Sequence, residues 1–327
     1  MPPDAESIGQ APPLVSIGMP VRNGARYIAA AIESILAQTF TDFELVIADD
    51  DSSDGTAEIC RAYAAKDARV RFHENGRKLG LAENHNRVVE LARGRFFHWT
   101  GADDAHDPRF LECCLAALEE TPDAILAYTA IRVIDEEGRE LGIRENRILG
   151  SDDAAPARRL AGALLDCPWC SAMYGLFRLD ALRRTSLMLP FHGSDRTLLV
   201  EAALAGRFVH VPEPLFLNRE HAERYTANAE RWHTALQSAS RPKARSLPLW
   251  RGVASWLGAV ARLVPVPRDR LLCMAPIVHW LVRWPNPLLL AWDVLAWLSP
   301  GLVARFWSWK RRRRLVGVLG RHRRSVS

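Results

Sequence analysis

Short apolar runs alternate with segments of helical periodicity over the first hundred residues of the chain. The predicted strands are 14–20, 43–48, 70–73 and 95–99, and the predicted helices between them are 25–38, 56–65 and 81–92. A helix between two strands is typical of a parallel crossover, in which the helix covers one face of the sheet. The alternation therefore predicts an α/β fold with a mostly parallel sheet and helices on both faces.

Polar loops follow three of these predicted strands. The loops contain Pro20-Val21-Arg22, Asp49-Asp50 and Thr100-Gly101-Ala102-Asp103-Asp104. Because the carboxyl ends of parallel strands share one edge of a sheet, the three loops predict a nucleotide-binding crevice at that edge. Asp50 would accept a hydrogen bond from a base or a ribose hydroxyl, and Asp103 would accept one from the ribose.

Asp103 and Asp104 are neighbouring carboxylates with no basic residue beside them in the sequence. Their charges repel each other, and a divalent cation bound to a phosphorylated substrate would offset that repulsion. The alternative is structural, because Asp104 or Asp107 ahead of Pro108 is a normal start for a helix over 109–120. The pair by itself leaves both interpretations open.

Two common phosphate-binding sequences are absent. The first strand is not followed by G-x-G-x-x-G, and the chain contains no G-x-x-x-x-G-K-[ST]. These motifs need glycine because the backbone approaches the phosphates closely. A dinucleotide site and a P-loop therefore lose their main support, and nucleotide recognition would depend on the carboxylates.

Several ordered motifs between residue 14 and about residue 225 resemble the inverting glycosyltransferases of family 2. They are Pro20-Val21-Arg22-Asn23-Gly24, Ile35-Leu36-Ala37-Gln38-Thr39-Phe40, Asp49-Asp50-Asp51-Ser52-Ser53-Asp54-Gly55-Thr56, Leu79-Gly80-Leu81-Ala82 with Asn86, Ala92-Arg93-Gly94 and Ala102-Asp103-Asp104. Each motif is weak alone, but six in this order are specific. The resemblance implies a GT-A (Rossmann-like) fold, a nucleoside-diphosphate sugar and a divalent cation, Mg²⁺ or Mn²⁺.

The resemblance also assigns roles to individual residues. Nucleotide-sugar binding falls to Pro20, Val21, Arg22, Asp49, Asp50, Gly80, Asn86, Ala102 and Asp103. Metal binding falls to Asp103, Asp104 and His221, and the catalytic base is Asp195. From the residues alone, the simpler interpretations are an N-cap of the following helix for Asp195 and a structural histidine for His221.

Three positions depart from the family pattern. Gly101 replaces the leading acid of the common D-A-D-D, which leaves open whether Asp103 or Asp104 binds the metal. Ser194 replaces the glutamate that usually precedes the base, and His85 replaces an arginine often found before the asparagine. Gly101 and Ser194 leave an inactive membrane scaffold that keeps the fold as one alternative. A nucleotidyltransferase, which also uses paired acids and a metal, is another.

The charge of the chain is unevenly distributed. Residues 241–327 hold 17 of the 43 lysines and arginines, only Asp269 and Asp293 among the 38 acids, and eight of the eleven tryptophans. A basic, tryptophan-rich segment indicates an anionic membrane surface before nucleic acid, for which no binding motif is present. Amphipathic helices with Lys310–Arg314 at the lipid head groups are one interpretation. The other is a helical appendage packed on the catalytic domain.

These observations predict three regions: a disordered lead over 1–13, a catalytic domain over 14–230, and a helical, basic, Trp-rich region over 231–327. The start Met1-Pro2-Pro3-Asp4 lacks the pattern of a signal peptide, and the six cysteines have no disulfide-framework spacing. Cys167 and Cys170 form a C-x-x-C pair that is most simply structural. We therefore expect a cytoplasmic protein, peripheral on the inner face of the membrane, that uses a glycan or lipid-linked acceptor in cell-envelope or extracellular glycan assembly.

Overall fold

A computed structural model describes residues 11–167, 169–191, 193–222 and 247–299. The predicted lead over 1–13 therefore falls mostly outside the described residues. The boundary at 230 and the basic run Lys310–Arg314 lie wholly outside them.

The centre of the molecule is a nine-stranded sheet, counted over the described residues. Its strands are β1 (Val15–Val21), β2 (Phe43–Asp49), β3 (Val70–Glu74), β4 (Phe96–Trp99), β5 (Ala105–His106), β6 (Ala124–Ile134), β7 (Glu140–Arg144), β8 (Leu176–Arg178) and β9 (Arg207–Arg219). Their order is β3-β2-β1-β4-β8-β6-β9-β5, with β7 paired to β6. β5, β7 and β8 run against the other six, so the sheet is mostly parallel, as predicted.

Helices cover both faces of this sheet. They are α1 (Ile28–Leu36), α2 (Thr56–Lys66), α3 (Leu81–Leu91), α4 (Phe110–Glu120), α5 (Pro156–Leu165), α6 (Leu179–Leu182), α7 (Ser194–Ala205), α8 (Pro248–Leu263), α9 (Pro267–Val282) and α10 (Asn286–Leu298). Side chains of α1 and α4 join β1 and β2 in one apolar cluster. Side chains of α3, α5, α7, α8 and α9 join the opposite face of the sheet in a second.

The order of the strands decides where the predicted loops lie. β1 pairs in parallel with both β2 and β4, so the segments after Val21, Asp49 and Trp99 leave the sheet side by side. β9 runs parallel to β6 and ends at Arg219, which brings the last residues described before residue 223 to the same edge. The edge at which the strand alternation predicted a crevice is therefore formed by three adjacent loops and the end of β9.

The C-terminal helices pack on the rest of the molecule. Trp256 of α8 and Ile277 of α9 are buried in the cluster that also contains Leu198 of α7. This is the packed appendage that the sequence left as an alternative to interfacial helices. Within the ranges that the structure describes, no helix has the length and apolar character needed to span a membrane.

Candidate active site

Arg22, Asp50 and Gly80 form one hydrogen-bonded group beyond the ends of β1 and β2. The Asp50 carboxylate accepts hydrogen bonds from the backbone N–H of Leu79 and, at 3.0 Å, from that of Gly80. Arg22 Nε donates to the Asp50 carbonyl oxygen at 3.1 Å. Three of the predicted nucleotide-binding residues, distant in sequence, are therefore brought together.

Three other predicted nucleotide-binding residues lie at the ends of the strands that precede this group. Pro20 and Val21 are the last two residues of β1, and Asp49 is the last of β2. The Asp49 carboxylate accepts a hydrogen bond from the backbone N–H of Ser52 at 3.1 Å and another from the Ser52 hydroxyl, which closes the loop after β2.

Asn84 is a residue of this region that the sequence did not single out. Its Nδ2 donates to the Ala48 carbonyl at 3.0 Å and lies 3.4 Å from the Val21 carbonyl, so it connects α3 to the ends of both strands. The only signal for it in the sequence is its place four residues after Gly80, one helical turn into α3.

The acidic loop (residues 100–104) is held by the end of β9. Asp104 is buried, and its Oδ1 accepts hydrogen bonds from Asn218 Nδ2 and from the backbone N–H of Arg219, both at 3.0 Å. The Arg219 guanidinium donates to the Asp103 carbonyl at 2.9 Å. The α4 N-cap position is Arg109, so Asp104 is not the cap of that helix.

Gly101 lies beneath both carboxylates of the acidic loop. A Cβ at this position would stand 2.6 Å from Asp104 Oδ2 and 2.9 Å from Asp103 Oδ1. Any side chain here would have to displace the carboxylates. Where the family pattern has a leading acid, this chain has a glycine, and the carboxylates of the two remaining acids fill the space that its side chain would take.

Asp103 is the more accessible acid of the pair. Its side chain is 37% exposed and its Oδ2 lies 2.9 Å from Nε2 of His221, whose own side chain is 6% exposed. His221 Nδ1 is buried and has no hydrogen-bond partner among the described residues. Carboxylate oxygen and imidazole are both ligands of divalent transition metals, so this pair fits such an ion. Across the described ranges, no group of three or more His, Cys, Asp or Glu residues is placed to hold a metal.

Two buried histidines flank the acidic loop. His98 on β4 and His106 on β5 face each other with 2.9 Å between their Nε2 atoms, and His98 Nδ1 lies 3.3 Å from the Gly175 carbonyl. Burial lowers the pKa of His98 to about 4, and burial together with the charge of His98 lowers the pKa of His106 well below its usual value. Both rings are therefore neutral at physiological pH, and the N–H of one Nε2 atom is donated to the other Nε2.

Asp195 lies in the first turn of α7. The N-cap position is Gly193, with φ of +85°, and the cap has no side-chain hydrogen bond, so Asp195 is not the cap that the sequence also allowed. α7 ends at Ala205 and β9 begins at Arg207, at the amino edge of the sheet. The amino end of α7 therefore points back to the edge where β9 ends. No hydrogen bond or ion pair in the described part of the chain joins Asp195 to Asp103.

Asn86 connects α3 to the segment before α7. Its Nδ2 donates to the Met188 carbonyl, and its Oδ1 accepts from the Met188 backbone N–H, both at 2.9 Å. The amide predicted to contact the sugar nucleotide therefore also holds Met188, in the segment before α7. Cys167 is also close to this turn, since Arg196 donates to its carbonyl at 3.2 Å, and both Cys167 and Cys170 are free thiols.

Comparison with known proteins agrees with this architecture. The family model described as Glycosyl transferase family 2 matches residues 16–181. Chondroitin synthase of Escherichia coli is 39% identical over 126 residues, which are 38% of this chain and 18% of that protein. The putative glycosyltransferase EpsE of Bacillus subtilis is 36% identical over 140 residues, 42% of this chain and 49% of that protein. The match thus spans less than half the length of either relative.

Two solved structures share the fold. TarS 1–349 of S. aureus in complex with UDP-GlcNAc has a TM-score of 0.61 at 16% identity, and the match covers 83% of this chain and 73% of that chain. The mannosyltransferase PcManGT from Pyrobaculum calidifontis, in complex with GDP-Man and Mn²⁺, has a TM-score of 0.54 at 16% identity, over 94% and 81% of the two chains. At such identities the likeness concerns the fold alone.

Proposed function

Because the chain belongs to glycosyl transferase family 2, we propose that it transfers a sugar from a nucleoside-diphosphate sugar to an acceptor hydroxyl, with inversion at the anomeric carbon. The observation that carries this proposal is the group formed by Arg22, Asp50 and Gly80 beside the acidic loop, at the edge where β1, β2 and β4 end. Such an edge is where α/β sheets bind nucleotides. The sugar nucleotides in the TarS and PcManGT structures support the same class of substrate.

In this proposal the nucleoside lies against Pro20, Val21 and Arg22, and Asp50 accepts from its base or ribose. Asp103 and Ala102 face the ribose and the diphosphate. Asp195 is the base: its carboxylate takes the proton of the acceptor hydroxyl while that oxygen attacks the anomeric carbon. The bond from this carbon to the diphosphate breaks, and the nucleoside diphosphate leaves with the electron pair.

We also propose that a divalent cation, Mg²⁺ or Mn²⁺, is held by Asp103 and His221, with Asp104 beside them. When bound, such an ion would supply positive charge that stabilises the departing diphosphate. The adjacency of an exposed carboxylate and a buried imidazole supports Asp103 as the ligand of the acidic pair. Asp104, which accepts from Asn218 and Arg219, would chiefly hold the loop.

A pair of variants tests the proposal. Asp195→Asn removes the base but keeps the shape of the side chain, so we expect sugar-donor binding to persist while turnover falls by roughly 10²–10⁴-fold. Asp103→Asn should remove the Mn²⁺-dependent part of the sugar-donor affinity, measured by calorimetry with and without the ion. Normal turnover in the first variant would refute the base. Release of diphosphate in place of nucleoside diphosphate would point to a nucleotidyltransferase.

The surface of the C-terminal helices supports a membrane partner. Leu271, Val282 and Trp284 are 74%, 68% and 73% exposed, and Arg268, Arg270 and Arg283 lie beside them in sequence. Apolar and aromatic side chains next to arginines fit an anionic bilayer surface. We propose that the protein works on the cytoplasmic face of the membrane. Its acceptor would be a glycan or a lipid-linked molecule of envelope or extracellular glycan assembly. The E. coli relative's name, chondroitin synthase, supports a glycan product. Failure to sediment with phosphatidylglycerol vesicles at low salt would contradict the membrane partner.

A further inference from the structure

The C-terminal helix α8 contacts α7 through a buried tryptophan. Trp256 is 4% exposed, and its indole Nε1 donates a hydrogen bond to Thr197 Oγ1 at 3.2 Å. The ring also packs edge-to-face on Trp280, with 4.9 Å between the centroids. A buried indole N–H without a partner is costly, so the hydrogen bond and the ring contact together fix how α8 lies against α7.

Thr197 connects Trp256 to the beginning of α7, where Asp195 lies in the first turn. Its hydroxyl, which accepts from Trp256, donates to the Gly193 carbonyl at 3.4 Å. Gly193 has φ of +85°, a conformation that sets the direction in which the chain enters α7 two residues before Asp195. Two consecutive hydrogen bonds therefore connect Trp256 of α8 to Gly193, two residues before the proposed base.

A second connection joins α8 to the segment before α7. Glu201 of α7 is 1% exposed, and its carboxylate lies 3.1 Å from Nη2 of Arg262 on α8. The same carboxylate accepts from the hydroxyl of Ser186 at 2.9 Å and from the Ser186 backbone N–H. A buried carboxylate needs such partners. Since Met188 is bonded to Asn86, the segment before α7 is held at Ser186 through Glu201 and Arg262, and at Met188 by α3.

We propose that α8 positions the catalytic base: Trp256, acting through Thr197 and Gly193, sets the orientation of the Asp195 carboxylate, and Arg262 secures the segment that leads to it. The proposal rests on the role of Asp195 given above. It makes Trp256, Thr197, Glu201 and Arg262 positioning residues for the transfer reaction. Part of the tryptophan-rich region thereby gains a role in turnover that is separate from any membrane contact.

The test is Trp256→Phe in the full chain, which removes the indole N–H and keeps an aromatic ring against Trp280. A misplaced catalytic group costs up to roughly 10²-fold in rate, so we expect kcat to fall by about 10- to 100-fold. KM for the sugar donor and its calorimetric Kd should not change, because the sugar nucleotide is bound by other elements. Thr197→Val should give a loss of the same size, and the double variant should lose no more than either single one, because both remove one connection.

The matched control is Trp280→Phe. Trp280 belongs to the same ring pair and the same apolar cluster, and its indole makes no hydrogen bond within the described residues. This control should keep kcat. Full kcat in both Trp256→Phe and Thr197→Val, an equal loss in Trp280→Phe, or parallel losses of kcat and sugar-donor affinity would each overturn the proposal. Asp195→Asn separates the two ideas: if that variant turns over normally the base itself is wrong, whereas if it is inactive and Trp256→Phe is not, only the positioning role fails.

Discussion

At the scale of single residues, Gly101 explains how the acidic loop tolerates a departure from the family pattern. Both carboxylates of the loop fold back over it, with a Cβ position 2.6 Å from Asp104 Oδ2. A contact this short forces the flexible side-chain ends to move. The glycine is therefore needed for space, and an acid at the same place would add a third negative charge in a volume already filled by two.

Gly101→Ala should weaken sugar-donor binding in the presence of Mn²⁺, because the methyl group displaces the oxygens of Asp103 and Asp104. Calorimetry measures the affinity, and the melting temperature reports whether the fold persists. Gly258→Ala is the matched control, since a Cβ there meets nothing within 4 Å. It lies in α8, where exchanging glycine for alanine typically adds about 0.5–1 kcal/mol of stability. Equal sugar-donor affinity in the two variants would contradict the steric explanation.

The sequence indicates the site residues that lie within loops, but not their partners. Asp50, Asp103 and Asp104 stand out because each follows an apolar run. Asn218 and Arg219, which hold Asp104, come 114 and 115 residues later. No local pattern encodes a contact at that separation. Asn218 and Asn84 therefore reach their partners only through the pairing of strands that are distant in sequence.

At the scale of secondary-structure elements, β4 and β5 enclose the acidic loop and are joined by His98 and His106. The rings meet edge-to-face with 4.8 Å between their centroids, and Phe110 of α4 lies 4.7 Å from His98 and 4.9 Å from His106. Aromatic surroundings of this kind exclude water and favour the neutral imidazole. The connection between β4 and β5 is consequently stable only while both histidine rings are uncharged.

The histidine pair should make stability depend on pH. The folded-state pKa of His98 is about 4, against 6.5 for an exposed histidine. Above 6.5 the folded and unfolded chains are both neutral at this position. As the pH falls from 6.5 towards 4, the unfolded chain takes up a proton that the folded chain does not, so stability decreases.

His98→Asn should be less stable than the native chain at about pH 7, yet lose less stability on going to about pH 5. Urea unfolding midpoints at the two pH values measure both effects. Parallel losses in the two proteins would show that other groups control the acid sensitivity.

Most elements of the first half follow from hydrophobic periodicity, and the predicted GT-A fold is confirmed. The order of the later strands was not predictable in the same way. β8 has only three residues, and it inserts between β4 and β6, which are far apart in sequence. α5 begins at Pro156, since proline is well suited to the first helical turn and the residues before it form turns.

At the scale of the whole molecule, the C-terminal helices belong to the core. One apolar cluster contains Val46 of β2, Leu126 of β6, Leu198 of α7, Trp256 of α8 and Ile277 of α9. The sequence presented packing and membrane association as alternatives, but α9 combines a buried side with an exposed apolar side. Hydropathy alone could not separate the two sides because Leu, Val and Trp occur on both.

Two variants of α9 separate these sides. Ile277 is 2% exposed, so Ile277→Ala should cost about 2–5 kcal/mol of unfolding free energy. Leu271→Ala, at a side chain 74% exposed, should leave stability nearly unchanged and weaken sedimentation with anionic vesicles. Urea denaturation and vesicle sedimentation of both variants give the comparison. If Leu271→Ala bound vesicles as well as the native chain, the exposed side of α9 would not be the membrane contact.

The shared core has a consequence for how the polypeptide can be divided. Residues up to 222 and residues from 247 onward each contribute to one apolar cluster. If the backbone were cut between them, the two pieces would still be held together by the surface they bury against each other. Produced separately and mixed, they should reassemble as a split protein, with the peptide linkage serving mainly to raise their effective concentration.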